Sequence, residues 1–217
     1  MQSALLEVMQ ERQVTIGHDT HAVPDPFLVL ATQNPIETEG TYALPEAQVD
    51  RFMLKVLVGY PSPTEEYAIV ERMTGTLERV RQVLSTGELL ALQRTVDAVY
   101  VDPALYDYAV RLAVATRTPD RFGMPELRRY ITYGASPRAS INLILTARAL
   151  AFVRGRTYAL PEDVLDMAVD VMRHRLVLSY EALSDGVTPD RLLSTILGRI
   201  APPVVPLREH VGLAARA

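Results

Sequence analysis

Four times between residues 102 and 189 a proline stands where an apolar pattern of helical period begins: Asp102-Pro103, Ser136-Pro137, Leu160-Pro161 and Thr188-Pro189. Proline is tolerated at the first helical position, where its missing N–H would have no intrahelical partner, so each pair reads as a helix start. Two further starts carry the capping-box spacing, Ser62 with Glu65 behind Pro63, and Ser85 with Glu88. The stripes that follow predict the buried faces. They are Leu89, Leu92 and Val96; Leu105, Ala109, Leu112 and Thr116; Ile141, Leu145, Ala149 and Phe152; Val164, Met167, Ala168 and Val171; and Leu192, Ile196 and Leu197. Amphipathic helices in succession with no strand between them make a bundle.

The first third reads differently. Residues 3–12 form a short amphipathic pattern, and residues 14–22 suggest a hairpin turning at Gly17-His18-Asp19. Residues 27–31 (FLVLA) and 52–58 (FMLKVLV) are continuous apolar runs of the kind expected for strands buried on both faces. Between them Leu44-Pro45-Glu46 opens a short helix. The fold class expected is therefore part of an α/β core followed by an all-α helical bundle, with residues 1–80 in the first domain and 85–217 in the second. The proline-rich stretch after Ile200 is expected to be extended.

Composition removes several function classes. With no cysteine in 217 residues, disulfide frameworks, thiol catalysis and thiolate metal sites are excluded. No apolar stretch is long enough to cross a bilayer and no signal peptide is evident, so a cytoplasmic location is expected. The net charge of −4 and the absence of a basic recognition helix disfavour nucleic acid as a partner. The charge is uneven, 6 basic against 12 acidic residues in the first 84 positions and 16 against 14 afterwards, and Lys55 is the only lysine.

Three positions could handle an anion. Thr32, Gln33 and Asn34 follow the first apolar run, where α/β sheets place ligands; an isolated Asn-Pro is also simply a turn. Arg51 follows an aspartate just past the short helix, an arrangement that by itself fits a surface ion pair. Arg138 is the second residue of the helix opened by Ser136-Pro137, where the helix dipole disfavours a cation unless an anion lies beside it. His18 and His21 have no third ligand, so no metal site is expected. His174 stands alone, and Glu37, Glu39 and Glu46 read as a solvated acidic stretch. No G-x-S-x-G elbow supports serine-based hydrolysis.

In combination, MQSALLEVMQERQVTIG, FLVLATQNPIETEGTYALPEAQVDRFMLKVLVGYPSPTEE and GASPRAS resemble the MoxR family of AAA+ ATPases. The resemblance is dense over residues 2 to 75 and looser over the bundle, and the related magnesium-chelatase subunits are similar in the same stretches. It implies that Asn34 is sensor 1, positioning the attacking water, that Arg51 is the arginine finger presented to a neighbour's ATP, and that Arg138 is sensor 2, contacting the γ-phosphate of its own subunit from the lid. It further implies ATP and Mg²⁺ as cofactors of the complete protein and a homo-oligomeric, hexameric ring. A chaperone-like role on a von Willebrand factor A domain protein or a metalloenzyme client is implied as well.

The chain contains no G-x-x-x-x-G-K-[ST], its one lysine lying in LKV, and no apolar strand ending in Asp-Glu. Against the family pattern the Walker A and Walker B portion is absent, so these 217 residues alone are expected to be inactive and to bind no nucleotide. A non-catalytic module that docks on a complete ring is the competing expectation. The apolar runs of the first domain should then expose unpaired edges and promote association, while the bundle folds independently.

Overall fold

The computed structural model describes residues 8, 9, 11–33, 44–76 and 79–204. Val8, Met9 and Glu11 are helical, and the rest of the expected first helix lies outside the described residues. Strands β1 (Gln13–Ile16) and β2 (Asp19–Ala22) form the expected antiparallel hairpin, with Ile16 opposite Asp19. Its two-residue loop starts at Gly17, whose φ of 67° is the left-handed conformation that glycine adopts without steric cost.

The two apolar runs are not the buried strands their pattern suggests, and they expose apolar surface, as expected of runs without sheet partners. Residues 27–31 and 52–58 join no ladder among the described residues, Phe52 and Met53 lying in a bend, and they are not buried on both faces. Leu28 and Leu30 are 77% and 85% exposed, and Val58 is 91% exposed. A continuous apolar run reports the burial a segment would have inside a sheet, and only neighbouring strands can supply it. Between the runs lies α1 (Glu46–Val49), the short helix opened by Pro45.

The helices begin where their caps predict. Helix α2 (Pro63–Thr74) and helix α3 (Thr86–Asp97) each carry a complete capping box, Ser62 with Glu65 and Ser85 with Glu88. Helix α4 (Pro103–Arg117) is capped by the Asp102 carboxylate, which accepts from Ala104 N at 2.8 Å. Helix α5 (Pro137–Val153) is capped by Ser136 and α8 (Pro189–Arg199) by Thr188. Helix α6 (Pro161–Met172) follows Leu160, which has no side-chain acceptor; the buried Asp163 carboxylate instead accepts from Leu160 N at 2.8 Å. Helix α7 (Tyr180–Ser184) is a short turn before α8.

The core gathers residues between Val99 and Ile200, and α5 packs on both α4 and α6. Leu105, Ala109, Leu112 and Thr116 are fully buried, as are Val164, Ala168, Val171 and Ile196. The stripe expected on α5 is wrong. Ile141 and Leu145 face solvent at 57% and 38% exposure, whereas Leu143, Ile144, Ala147 and Ala151 are buried. Helix α5 is apolar on more than one side, and its neighbours select the smaller, alanine-rich face, which permits close helix packing. The bundle is also not free of strands. β3 (Ile131–Tyr133) pairs antiparallel with β4 (Val177–Leu178), and Tyr100 bridges to Tyr158. No helix among the described residues is long and apolar enough to cross a membrane.

Candidate functional site

Of the three predicted positions, Asn34 lies outside the described residues, while Arg51 and Arg138 can be placed. Arg138 owes its position to the loop before α5. A Cβ on Gly134 would stand 2.5 Å from the Thr116 carbonyl, so only glycine lets this loop pass so close to the end of α4. The Thr116 hydroxyl, donating to the Ala113 carbonyl at 2.7 Å, accepts from Ala135 N at 2.8 Å and pins the next residue. Ser136 then caps α5, its hydroxyl accepting from Arg138 N at 3.2 Å. The same hydroxyl donates to the Asp50 carboxylate, 2.9 and 3.0 Å from its two oxygens.

Asp50 is the centre of the site. Its Oδ2 accepts from Arg138 Nη1 at 2.9 Å, and its Oδ1 is ion-paired with Arg175 Nε at 3.2 Å. The anion that a cation at the start of α5 requires is thus supplied from within the chain, by a carboxylate 88 positions away. Arg175 has a fully buried side chain and belongs to the 3-10 turn Arg173–Arg175 that follows α6. Its Nη2 donates to the carbonyls of Asp50 and Phe52 at 3.0 and 2.6 Å. Burial pulls the Arg175 guanidinium below its ordinary value, while Asp50 pushes it back up.

The turn grips more of the segment than Asp50. Arg173 Nη1 donates to the Lys55 carbonyl at 2.5 Å, and Lys55 N donates to the Asp170 carbonyl at 2.9 Å. His174 Nε2 lies 3.0 Å from the Phe52 carbonyl, which only accepts, and 2.8 Å from Arg175 Nη1, which only donates, so in the neutral ring it serves one or the other according to the tautomer. Nδ1 is buried without a hydrogen-bond partner. Burial, and then the charge of Arg175, lower the His174 pKa to about 4, so the ring is neutral near pH 7.

Arg51 is half-buried just past α1, one peptide bond from Asp50. Its Nε and Nη1 are buried and have no hydrogen-bond partner. The sequence pairing of Asp50 with Arg51 is therefore not the pairing in space: the carboxylate goes to Arg138 and Arg175, and Arg51 is left with unused donors. The sequence reading assigned no site role to Asp50, Arg175, His174 or Ser136, the last read only as a helix start. The only signals for them were an Asp-Arg pair after a short helix and an Arg-His-Arg run after a long one.

The chain matches two family models, that of the ATPase family associated with various cellular activities over residues 1–54 and that of the AAA lid domain over residues 127–196. It is 54% identical over 213 residues to the chaperone MoxR1 of Mycobacterium tuberculosis, a match that takes in 97% of this chain and 56% of the relative. This chain belongs to the MoxR family of AAA+ ATPases. Protein MoxR of Paracoccus denitrificans is 32% identical over 199 residues, covering 85% of this chain and 58% of that protein. In three dimensions the chain resembles the crystal structure of a candidate ATPase from Cytophaga hutchinsonii, with a TM-score of 0.89 and 43% identity over 94% of this chain and 62% of that one. The MoxR-family segment described here thus spans little more than half the length of its curated relatives, and its fold is part of an AAA+ core with a helical lid.

The residues present fit the phosphate end of ATP. Arg138 stands in the first turn of a helix, where the helix dipole and a guanidinium both favour an oxyanion, and Arg51 has buried donors without acceptors.

Proposed function

We propose that this segment serves a MoxR-type ATPase as the last part of its core, residues 1–80, and as its lid, residues 85–217. In the complete protein, cytoplasmic and assembled as a hexameric ring, ATP hydrolysis at subunit interfaces drives chaperone-like maturation of partner proteins, such as a von Willebrand factor A domain protein or a metalloenzyme. ATP with Mg²⁺ supplies the transferable phosphoryl group; Mg²⁺ falls to the P-loop and Walker B portion of the family, and no residue of this chain is assigned to it.

Within that reading Asn34 positions the attacking water, Arg51 reaches the neighbour's ATP and Arg138 binds the γ-phosphate of its own subunit. Phosphoryl transfer depends mostly on positioning and on neutralising oxygen charge, tasks for which an amide and two guanidinium groups are suited. The observation that carries the reading is the junction at Asp50, where the segment bearing Arg51 is bonded to the helix start bearing Arg138. The 217 residues alone, containing no P-loop motif, are expected to turn over no ATP.

The test joins this full chain behind the P-loop portion of the Mycobacterium tuberculosis relative and measures hydrolysis. Arg51→Ala should abolish turnover by at least a hundredfold while ATP still binds, and rings mixed with unmutated subunits should regain activity at interfaces that keep an intact finger. Normal hydrolysis by Arg51→Ala would refute the finger assignment. The exposed apolar runs at Leu28, Leu30 and Val58 also suit a non-catalytic module that docks on a complete ring. Tight association of the isolated chain with a full-length ring, without any gain of hydrolysis in the joined protein, would favour that second reading.

A further inference from the structure

We infer that Asp50 is a positioning residue that holds Arg138 until a γ-phosphate displaces it, and so couples the subunit's own nucleotide to the placement of Arg51. The inference rests on the reading above for the roles of the two arginines and adds the residue that links them.

Arg138 already has an anion. Asp50 Oδ2 takes its Nη1 at 2.9 Å, beside the Ser136 cap that opens α5. A γ-phosphate arriving at the same guanidinium must compete with this carboxylate, because the two negative charges cannot share it without repulsion. Release of Arg138 would not free Asp50. The Ser136 hydroxyl and Arg175 still hold it, and Arg175 also grips its backbone carbonyl. What changes is the balance of pulls on a carboxylate whose next residue is Arg51, with Nε and Nη1 still unpartnered. Arg138 is 45% exposed in its side chain and can move, whereas Asp50 is 16% exposed and Arg175 is buried, so the exchange falls on the arginine. Linkage requires the coupling to be reciprocal: whatever seats Arg51 in the neighbouring subunit alters the affinity of Arg138 for phosphate.

The experiment compares Asp50→Asn, Asp50→Glu and Arg138→Ala with the unmutated form of the joined protein, reading ATP and ADP affinities separately from turnover. Asp50→Asn removes the competitor, so ATP should bind about tenfold tighter relative to ADP, which has no γ-phosphate and serves as the internal control. Turnover should fall, since Arg51 loses its coupling, and Asp50→Glu, which keeps the charge, should restore much of it. Arg138→Ala should lower ATP affinity relative to ADP and abolish the effect of Asp50→Asn in the double variant. A merely structural role for Asp50 would weaken ATP and ADP together, and that result, or an unchanged ratio in Asp50→Asn, overturns the inference. If Arg138→Ala leaves the ATP to ADP ratio untouched, or the unmutated protein does not hydrolyse ATP, the functional reading itself fails, and the inference with it.

Discussion

Asp50 and Arg138, 88 positions apart in sequence, meet at 2.9 Å, and the serine that caps the helix of Arg138 donates its hydroxyl to the same carboxylate. A helix cap and an ion pair are here built from one set of atoms. The local structure of α5 and its attachment to the segment preceding Arg51 therefore cannot be altered separately.

Arg175 is the buried side of this junction. Removing it would leave the Asp50 carboxylate with one guanidinium and strip donors from two buried-side carbonyls. Arg175→Ala should cost about 3–5 kcal/mol in urea unfolding of the chain, the range for breaking one side of a buried pair. Arg175→Lys should recover little of it, because an ammonium cannot reach the carboxylate and both carbonyls as the planar fork does.

Gly134→Ala should destabilise by roughly 2–4 kcal/mol, since its Cβ would fall 2.5 Å from the Thr116 backbone and neither main chain can yield cheaply. Gly87→Ala makes the control. Nothing lies within 4 Å of that position on α3, so the change should be neutral or stabilise by up to about 1 kcal/mol. Thermal melts of both variants check the pair.

His174 should make the chain sensitive to mild acid. Its folded pKa is lowered to about 4, by burial first and then by Arg175 and Lys55, against the Phe52 carbonyl and Asp50, which favour the charged ring. The unfolded chain, with an ordinary value near 6.5, takes up the proton first as pH falls. The stabilisation is full above pH 6.5 and is lost between there and about pH 4, on the order of 3 kcal/mol at the end. His174→Gln keeps a polar side chain beside the Phe52 carbonyl and cannot titrate. Urea melts at pH 7, 5.5 and 4.5 should show its stability falling less than that of the unmutated chain across the window; parallel curves would refute the assignment.

Asp163 ties the start of α6 to the end of α5, with Arg156 at 2.5 and 2.7 Å, Arg154 at 2.9 Å and Leu160 N at 2.8 Å. Burial pushes its carboxyl upward, but the Arg156 hydrogen bonds, the Leu160 amide and Arg154 outweigh it, and the net value is lowered. Its contribution is therefore present above the usual carboxylate range and is lost as pH falls through the depressed value. Asp163→Ala should cost about 3–5 kcal/mol at pH 7, and the deficit should shrink in strong acid, as chemical unfolding at pH 7 and pH 2.5 would record.

What the sequence made legible was local. Helix starts at Pro63, Thr86, Pro103, Pro137, Pro161 and Pro189 follow from cap and proline chemistry within three or four residues, and the stripes of α4, α6 and α8 follow from their period. The misread face of α5 and the unpaired runs at 27–31 and 52–58 share one cause. Ile141 and Leu30 are as apolar as Leu143, and whether each is covered depends on neighbours that no local pattern encodes. The site divides the same way. Arg138 was visible as a cation at a helix start and Arg51 through the family resemblance, whereas Asp50 gained its meaning from Ser136, Arg138 and Arg175, between 86 and 125 positions downstream.

The stitching between residues 50–55 and the 173–175 turn has a mechanical side. Carbonyls of Asp50, Phe52 and Lys55 are held by Arg173, His174 and Arg175, while Lys55 N holds the Asp170 carbonyl. Bonds arrayed along two strips and pulled lengthwise share the load and must break together, unlike a zipper opened from one end. Under tension the turn that bears Arg51 and the helices should yield as one piece, so that a tilt of the helices carries Arg51 with it as a lever carries its tip.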